Sequence, residues 1–271
     1  MSSMNVSNLT VNALSKMFSE GKRFDGRKLT DLRDLTVEYD VSNKSEGSAR
    51  VRLGKTEVIV GIKMQIGTPY PDSPEKGNIM VSGDLLPMAS PRFESGPPKF
   101  GAIELPRLVD RAIRESGMID LTKLALVPGE KVWTVMIDIY PINDDGNLID
   151  AATIGAVAAL KVAKIPVLDK DGKIDYYKPS KEALPLRKGT YPFSFSFYKL
   201  GESIIMDPTR EEEEACDVRI TLGISKWDKD YMINSCQKSG ETPMTSKDLD
   251  MMTKILPEKY DEVNEKLKKF F

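Results

Sequence analysis

The chain contains two successions of strand-like segments, each followed by a helical segment. In the first, alternating apolar and polar residues between 47 and 66 predict half-buried strands, and small apolar residues at 148–164 predict a helix that can lie close against a sheet. In the second, strand patterns between 192 and 237 precede a long amphipathic helix over 245–270. Clustered strands followed by helices, found twice in 271 residues, predict an α+β chain of two similar halves.

This pattern predicts four parts in the chain. They are an N-terminal helix within 1–22, a first lobe at 23–165, a linker with a minor hairpin at 166–190, and a second lobe with the C-terminal helix at 191–271. The first helix is expected from Leu9 to Glu20, before the turn-forming Gly21. Further strands are predicted at 35–41, 78–86, 131–142, 192–200, 202–207, 216–225 and 231–237.

Residues 104–116, with the sequence ELPRLVDRAIRES, predict a helix with an apolar stripe and a row of three arginines. At about 100° per residue, Arg107, Arg111 and Arg114 share one side of this helix. The simpler interpretation is a solvated face on which Asp110 and Glu115 neutralise the arginines. The alternative is a surface that binds an anionic polymer, and the helix alone does not decide between them.

Composition limits the chemistry that is available to the chain. A formal charge of −2 and a pI near 5.6 require any nucleic-acid contact to come from a local basic patch. The absence of histidine excludes Ser-His-Asp and Cys-His nucleophiles and histidine metal ligands. Two cysteines cannot form a four-thiolate zinc site. We expect no metal site and no cofactor.

The expected location is the cytoplasm. Cys216 and Cys236 with no secretory leader favour a reducing compartment. No apolar run approaches the 18 or more residues that a membrane span needs, so no membrane association is expected.

Three further motifs resemble functional sites, and only the last of them remains a candidate. The LGKTE segment at 53–57 is not a phosphate-binding loop, because six residues and not four separate Gly47 from Gly54. The acidic run 211–214 is interpreted as a helix start, since consecutive glutamates point in different directions and cannot converge on one ion. Asp217 opens a strand and is a candidate for a lone carboxylate at a cleft.

Several segments together resemble the RNase PH family, and in particular the non-catalytic RNase PH-like subunit of the archaeal exosome. In family order they are RFDGRKLTDLR (23–33), GSARVRLGKTEVIVGIK (47–63), GNIMVSGDLLPMA (77–89), AIELPRLVDRAIRES (102–116), VWTVMIDIYPINDDGNLIDAATIGAVAAL (132–160) and DPTREEEE (207–214). The resemblance implies an RNase PH-like fold of two βαβα-type lobes, of the ribosomal protein S5 domain 2-like type. It also implies a hexameric ring with RNA in the central channel and phosphate-dependent 3′→5′ degradation of that RNA.

The same resemblance implies that this chain lacks a catalytic site of its own. Active members carry a Gly-Thr/Ser-Arg loop for phosphate at the position of NDDGNLIDAAT, which has no arginine and contributes Asp144, Asp145 and Asp150. A carboxylate about 4 Å from an anion is repelled by roughly 4 kcal/mol at an effective dielectric near 20. The resemblance places Asp217 at the position of the family's catalytic acid, although its spacing from the acidic run differs from that in active members. No catalytic residue is therefore assigned.

In the family the helix after GDLLPMA lines the RNA path, so the resemblance implies that Arg107 and Arg111 contact RNA. Arg114 is open to a salt bridge or an interface role, and Arg50 and Arg52 are weaker candidates because an exposed strand face explains them equally well. A row of guanidinium groups suits single-stranded RNA held by its phosphates without base readout.

The function expected from the resemblance is a non-catalytic exosome subunit that binds RNA in the channel and structures the active site of its neighbour. The expected partners are a catalytic RNase PH-like sister subunit in a trimer of dimers, S1/KH-type cap proteins and single-stranded RNA. Two alternatives stay open: an active phosphorolytic exoribonuclease, and a pure ring scaffold without RNA contact.

Overall fold

The computed structural model describes residues 6–175, 178 and 180–268 and shows two lobes of mixed α and β structure. Helix α1 (Asn8–Ser19) precedes both lobes. The first lobe contains β1 (Leu35–Tyr39), β2 (Gly47–Leu53), β3 (Thr56–Gly67), β4 (Asn78–Gly83), α2 (Phe100–Ser116), β5 (Ala125–Val127), β6 (Lys131–Asn143) and α3 (Leu148–Val162), with a 3₁₀ turn at Leu121–Leu124. The second lobe contains β7 (Phe193–Leu200), β8 (Ser203–Met206), α4 (Arg210–Ala215), β9 (Val218–Trp227), β10 (Asp230–Ser239) and α5 (Ser246–Lys268).

The first-lobe sheet has the strand order β1-β2-β3-β6-β4, and β5 pairs with one end of β6. Strand β4 runs parallel to β6 and is connected to it through α2, whereas the other neighbouring strands are antiparallel. Burial alternates along β3, from Val58 through Val60 and Ile62 to Met64 on the inner face. The alternation in the sequence therefore corresponds to a sheet with one buried and one open face.

Helix α3 lies between the two sheets and is buried from Leu148 to Leu160. Small residues permit this close packing: a Cβ at Gly155 would lie 2.8 Å from Val60 Cγ2, and a Cβ at Gly47 would lie 2.5 Å from the carbonyl oxygen of Ala159. The predicted close approach of this helix to a sheet is confirmed.

The second-lobe sheet is antiparallel, in the order β10-β9-β7-β8, and every residue of β7 is buried. Helix α1 packs on this lobe through Leu14 and Phe18, which contact the cluster of Tyr198 and Ile205. The chain then returns to the first lobe through residues 20–34. This segment connects the two lobes at the site described below.

Several predicted boundaries move by a few residues. The first helix runs from Asn8 to Ser19 and not from Leu9 to Glu20, because the Ser7 hydroxyl caps it by accepting from Thr10 N at 3.2 Å. Residues 84–86, predicted as the end of a strand, lie beyond β4. The last helix is described as far as Lys268, so the predicted end at 270 lies outside the described residues. The boundaries of the four predicted parts stay a prediction.

The described residues of the segment 163–192, which joins the lobes, contain bridges between Lys164 and Ala183 and between Leu168 and Ile174. One further bridge, between Leu186 and Ile119, ties the segment to the first lobe. Among the helices that the structure describes, none has the length and apolar character that crossing a membrane requires.

Candidate nucleic-acid interface

Helix α2 buries one side in the core and exposes the other. Leu108, Val109 and Ile113 form the apolar stripe and are at most 5 % exposed. The helix ends at Gly117, whose φ of 64° is the left-handed conformation that glycine adopts without strain. The predicted apolar stripe is confirmed, and it fixes the direction in which the arginines point.

The three arginines of α2 are all exposed, but they differ in their partners. Arg114 donates to both Asp110 oxygens, at 2.6 and 3.1 Å, and to the carbonyl oxygen of Ile79 at 3.0 Å. Arg107 and Arg111 have neither an ion pair nor a side-chain hydrogen bond to any residue that the structure describes. The interpretation of a neutralised face therefore holds for Arg114 and not for the other two.

Two apolar side chains continue the row of Arg107 and Arg111 toward the start of α2. Phe100 is 60 % exposed and Ile103 is 48 % exposed. Positions 100, 103, 107 and 111 share one face of a helix. An exposed aromatic ring in line with free guanidinium groups is the combination that single-stranded nucleic acid uses, with bases on rings and phosphates on cations. Sequence reasoning missed these two residues because it considered only the charges, although the helical spacing contained the signal.

Arg50 and Arg52 on β2 form a charge network with acids on the neighbouring strands. Glu38 of β1 and Glu57 of β3 form ion pairs with both arginines, at N–O distances of 2.8 to 3.3 Å. These cross-strand pairs neutralise the two arginines. The exposed-face interpretation therefore accounts for them without a ligand.

The resemblance to the RNase PH family implies that the loop between β6 and α3 stands where active members bind phosphate. Its backbone is fixed by Thr56, whose hydroxyl donates to the carbonyl oxygen of Gly146 at 2.6 Å and accepts from Asp145 N at 3.2 Å. A Cβ at Gly146 would lie 2.6 Å from the carbonyl oxygen of Pro208 and 2.7 Å from Arg210 N. The second lobe thus lies directly on this glycine and fills the space beside it.

Arg33 reaches into this loop but is fully engaged there. It donates to Asp207 with Nη2 and Nε at 2.7 and 3.0 Å, and to the carbonyl oxygens of Asp145 and Gly146 at 2.8 and 3.1 Å. Burial lowers the pKa of the Arg33 guanidinium, but the hydrogen bond and charge of Asp207 outweigh it, so the pKa is raised. Arg27 also donates to Asp207, at 3.2 Å.

A second arginine, Arg92, comes from the proline-rich loop before α2. Its Nε and Nη2 donate to the two oxygens of Asp144 at 2.7 and 3.0 Å, and Glu213 and Glu214 lie within 4.0 Å. The carboxylate of Asp144, which the resemblance places near phosphate, is therefore neutralised by Arg92. Both arginines at this loop thus have carboxylate partners.

Asp150 points away from the loop into the interior between the lobes. It accepts from Ser196 N at 3.0 Å, from Ser196 Oγ at 2.8 Å and from Asn147 Nδ2 at 3.0 Å. Burial raises the pKa of Asp150 to about 7, although these hydrogen bonds act to lower it. The first turn of α3 directs Asp150 inward, so its carboxylate is bound to Ser196 and Asn147 and does not point into the loop.

The acidic run 211–214 begins helix α4, as predicted. Thr209 and Glu212 form a capping box, in which each side chain bonds the backbone of the other. Glu212 is 2 % exposed and also forms an ion pair with Arg23. Within the described ranges, no group of three or more His, Cys, Asp or Glu side chains could hold a metal ion.

Asp217 is exposed at the residue before β9. Its nearest hydrogen-bond donor is Gly201 N, at 3.5 Å, which is the limit of a hydrogen bond. The expectation of a lone carboxylate in a cleft is thus corrected, because the residue lies at a solvent-exposed end of the second sheet.

Sequence reasoning also missed the arginines that close the loop. Arg33 contacts Asp207 across 174 residues, and Arg92 contacts Asp144 across 52 residues. Arg33 stands inside the RFDGRKLTDLR segment, which gave a family signal but no partner. The pairing depends on the crossing of the lobes and has no local signature.

Comparisons with known proteins agree with this architecture. The sequence model described as "3' exoribonuclease family, domain 1" (RNase_PH) matches residues 31–166, and that described as "domain 2" (RNase_PH_C) matches residues 190–255. The "Exosome complex component Rrp42" of Methanothermobacter thermautotrophicus is 42 % identical over 262 residues, which are 96 % of this chain and 95 % of the relative.

Two solved structures are also similar along most of their length. A chain of the "archaeoglobus fulgidus exosome with RNA bound to the active site" superposes with a TM-score of 0.84 and 39 % identity, covering 93 % of this chain and 98 % of the other. A chain of an "Archaeal exosome core" gives a TM-score of 0.79 and 36 % identity, covering 92 % of each. With this agreement in sequence and fold, the chain belongs to the RNase PH-type 3′ exoribonuclease family.

Proposed function

We propose that this chain is a non-catalytic RNase PH-like subunit of an archaeal exosome, which holds single-stranded RNA while a neighbouring subunit degrades it. The observation that carries the proposal is a contrast between two sets of arginines. Arg107 and Arg111 are exposed and have no partner among the described residues, whereas the arginines at the loop 144–147 form ion pairs with carboxylates. The names of the similar proteins support membership in such a complex.

The α2 face supports RNA binding on electrostatic grounds. A phosphodiester that contacts Arg107 and Arg111 exchanges water for guanidinium donors and releases condensed counterions. No pair within this protein has to be broken first, because neither side chain has a partner among the described residues. Binding through phosphates and stacked bases does not depend on sequence, which suits a complex that degrades RNA step by step.

The loop 144–147 supports the absence of catalysis. Phosphorolysis brings phosphate next to an RNA phosphodiester, so a site for it needs free cations and open backbone donors where negative charge accumulates. Here Pro208 and Arg210 lie against Gly146. Asp207 and Asp144 form ion pairs with Arg33 and Arg92. Binding phosphate would require separating buried ion pairs, and leaving one partner of such a pair buried and unpaired costs roughly 3–5 kcal/mol.

The expected partners are a catalytic RNase PH-like sister subunit in a hexameric ring, S1/KH-type cap proteins and single-stranded RNA, in the cytoplasm. The outer face of the first-lobe sheet supports a contact with another protein, since Met80 of β4 is 51 % exposed and Tyr140 of β6 is 40 % exposed. Large apolar side chains on an open sheet face are typical of surfaces that a partner covers. Through such a contact this chain would shape the active site of the sister.

RNA binding by the complex reconstituted with its sister tests the proposal. Replacing Arg107 and Arg111 with glutamate is expected to weaken binding at least tenfold. The slope of log K against log salt should also become shallower, by about 0.7 for each RNA phosphate that is no longer neutralised. The measurement is fluorescence anisotropy with labelled single-stranded RNA at several salt concentrations.

A matched control replaces Lys170 and Lys173, which are exposed in the linker, with glutamate. These two substitutions change the net charge by the same amount as the two arginine substitutions. This control is expected to bind RNA like the unmodified complex. Equal weakening in both variants would indicate a general charge effect, and an unchanged slope in the arginine variant would favour a scaffold without RNA contact.

A further inference from the structure

Glu104 lies within the row of exposed residues on α2, but its ion-pair partner belongs to the second lobe. It stands one helical turn before Arg107 and two turns before Arg111, on the same face of the helix. Side chains three residues apart on a helix are neighbours, so a free Glu104 would be in position to pair with Arg107. In the structure Glu104 Oε1 instead accepts from Nη2 of Arg219, on β9, at 2.6 Å.

The packing of the second lobe on α2 explains why Arg219 reaches Glu104. A Cβ at Gly223 of β9 would lie 3.4 Å from Ala112 Cβ, so the strand and the helix are in close contact at this point. Arg219 and Gly223 share one face of β9 and are about 13 Å apart along it. Glu104 precedes Ala112 by about 12 Å along the helix. Because the two spacings match, the contact at Gly223 brings Arg219 beside Glu104.

This ion pair is largely withdrawn from solvent. The side chain of Arg219 is 12 % exposed and that of Glu104 is 22 % exposed. Among the described residues, Glu104 supplies the one ion pair of Arg219, and the buried Arg219 Nε has no hydrogen-bond partner there. A partly buried pair is screened less by water and salt than an exposed one. Arg219 therefore binds Glu104 more strongly than the exposed Arg107 would.

The other two acids of α2 leave the row charged. Arg114 donates to both oxygens of Asp110. Glu115 follows Arg111 by four residues, which is the less favourable order for an ion pair on a helix, and it forms none in the described part of the chain. Glu104 is therefore the acid of α2 whose partner decides the charge of the row.

We propose that Arg219 is a positioning residue for RNA binding: it holds Glu104 away from Arg107, so that the arginines of α2 keep their charge for RNA phosphates. The inference rests on the proposed function and deepens it, because it gives the second lobe a part in the RNA face of α2. Without Arg219, Glu104 would add negative charge to the row and would pair with Arg107. Both effects oppose the binding of a phosphodiester at this position.

RNA binding by the complex reconstituted with its sister tests the inference. Arg219→Met keeps a long apolar side chain in the buried position and releases Glu104. We expect RNA binding to weaken about three- to fivefold, with a shallower dependence on salt, because a free carboxylate then lies beside the phosphate. Arg219→Lys retains the positive charge and is expected to bind RNA like the unmodified complex. The measurement is fluorescence anisotropy with labelled single-stranded RNA at several salt concentrations.

The decisive variant combines Arg219→Met with Glu104→Gln. It removes the acid together with its partner, so RNA binding is expected to return to that of the unmodified complex. If Arg219 only supported the packing of α2 on β9, binding would stay weak, because the double variant also lacks the ion pair. Lys199→Met is the matched control, since the Lys199 side chain is 5 % exposed and pairs with Asp248 of α5 at 2.8 Å. This control is expected to bind RNA normally.

Three results would overturn the inference: unchanged binding in Arg219→Met, equal weakening in this variant and the double variant, or equal weakening in the Lys199 control. If Arg219→Met does not fold, Arg219→Gln keeps a polar group at the buried position. It is expected to show the same weakening and the same recovery with Glu104→Gln.

The proposed function and this inference fail in different experiments. Normal RNA binding by the glutamate variant of Arg107 and Arg111 would contradict the proposed function. Weakened binding in that variant, together with unchanged binding in Arg219→Met, would contradict this inference alone.

Discussion

The α2 face and the loop between β6 and α3 both contain arginines, but their surroundings differ. On α2, Arg107 and Arg111 face solvent without partners among the described residues. At the loop, Arg33 and Arg92 donate to Asp207 and Asp144 in a largely buried network. An arginine without an acidic partner can bind a ligand phosphate, whereas a paired and buried one stabilises the fold. The partners of arginines, more than their number, therefore distinguish a binding surface from a structural junction.

The strongest test of this difference removes the acid that joins the lobes. Asp207 is fully buried and accepts from Arg27, Arg33 and Asn147. Asp207→Ala removes the buried carboxylate that is the nearest partner of Arg33 and also pairs with Arg27, so we expect the free energy of unfolding to fall by about 3 kcal/mol, measured in urea. Asp228→Ala is the matched control, since both residues have a positive φ and Asp228 is exposed. A similar decrease in both variants would mean that backbone conformation and not charge pairing explains the effect.

Asp150 provides a pH test of the same junction. Its pKa is about 7 in the folded chain against an ordinary value of 3.8, so between these values the unfolded chain binds fewer protons than the folded chain. Stability must then fall as the pH rises from about 4 to 7, by up to about 4 kcal/mol, with no further decrease from this group above that range.

Asp150→Asn should remove most of this dependence, because an amide does not titrate in this range. The amide also retains an oxygen that can accept from Ser196 N. Urea unfolding at pH 5, 6, 7 and 8 measures the effect, with the exposed Asp171→Asn as control. An unchanged pH profile in Asp150→Asn would show that the buried carboxyl is not the group that titrates.

A smaller effect is expected at the start of the α2 face. If Phe100 stacks on a base, Phe100→Ala should weaken RNA binding by the complex by about 1 kcal/mol, roughly fivefold, without changing the salt slope. Phe24 is 57 % exposed outside α2 and gives a matched control, for which no change is expected. Fluorescence anisotropy measures both variants. Normal affinity in Phe100→Ala would limit the interface to Arg107 and Arg111.

Much of the fold followed from the sequence, because local patterns encode it. Alternation over 47–66 predicted β2 and β3, and the small residues of 148–164 predicted the buried helix α3. No local pattern predicted the parallel pairing of β4 with β6. The sequence of each segment indicates only an apolar strand, and the pairing depends on the path of the chain through α2.

The site was less predictable, for a physical reason. Arg114 and Asp110 are four residues apart on a helix, which is a local signal for an ion pair, and that pair forms. Glu115 is also four residues from Arg111, yet these two form no ion pair in the part of the chain that the structure describes. The pairs at the loop join residues that are distant in sequence, so only the folded lobes bring them together.

We propose that this chain holds RNA and does not cleave it. The most direct measurement is the phosphate-dependent release of nucleoside diphosphates from single-stranded RNA by the reconstituted complex, with the sister subunit inactivated at its own catalytic residues. We predict RNA binding close to that of the active complex and no diphosphate release above a control without phosphate. Release that persists, and is abolished by substitutions in the loop 144–150 of this chain, would contradict the account.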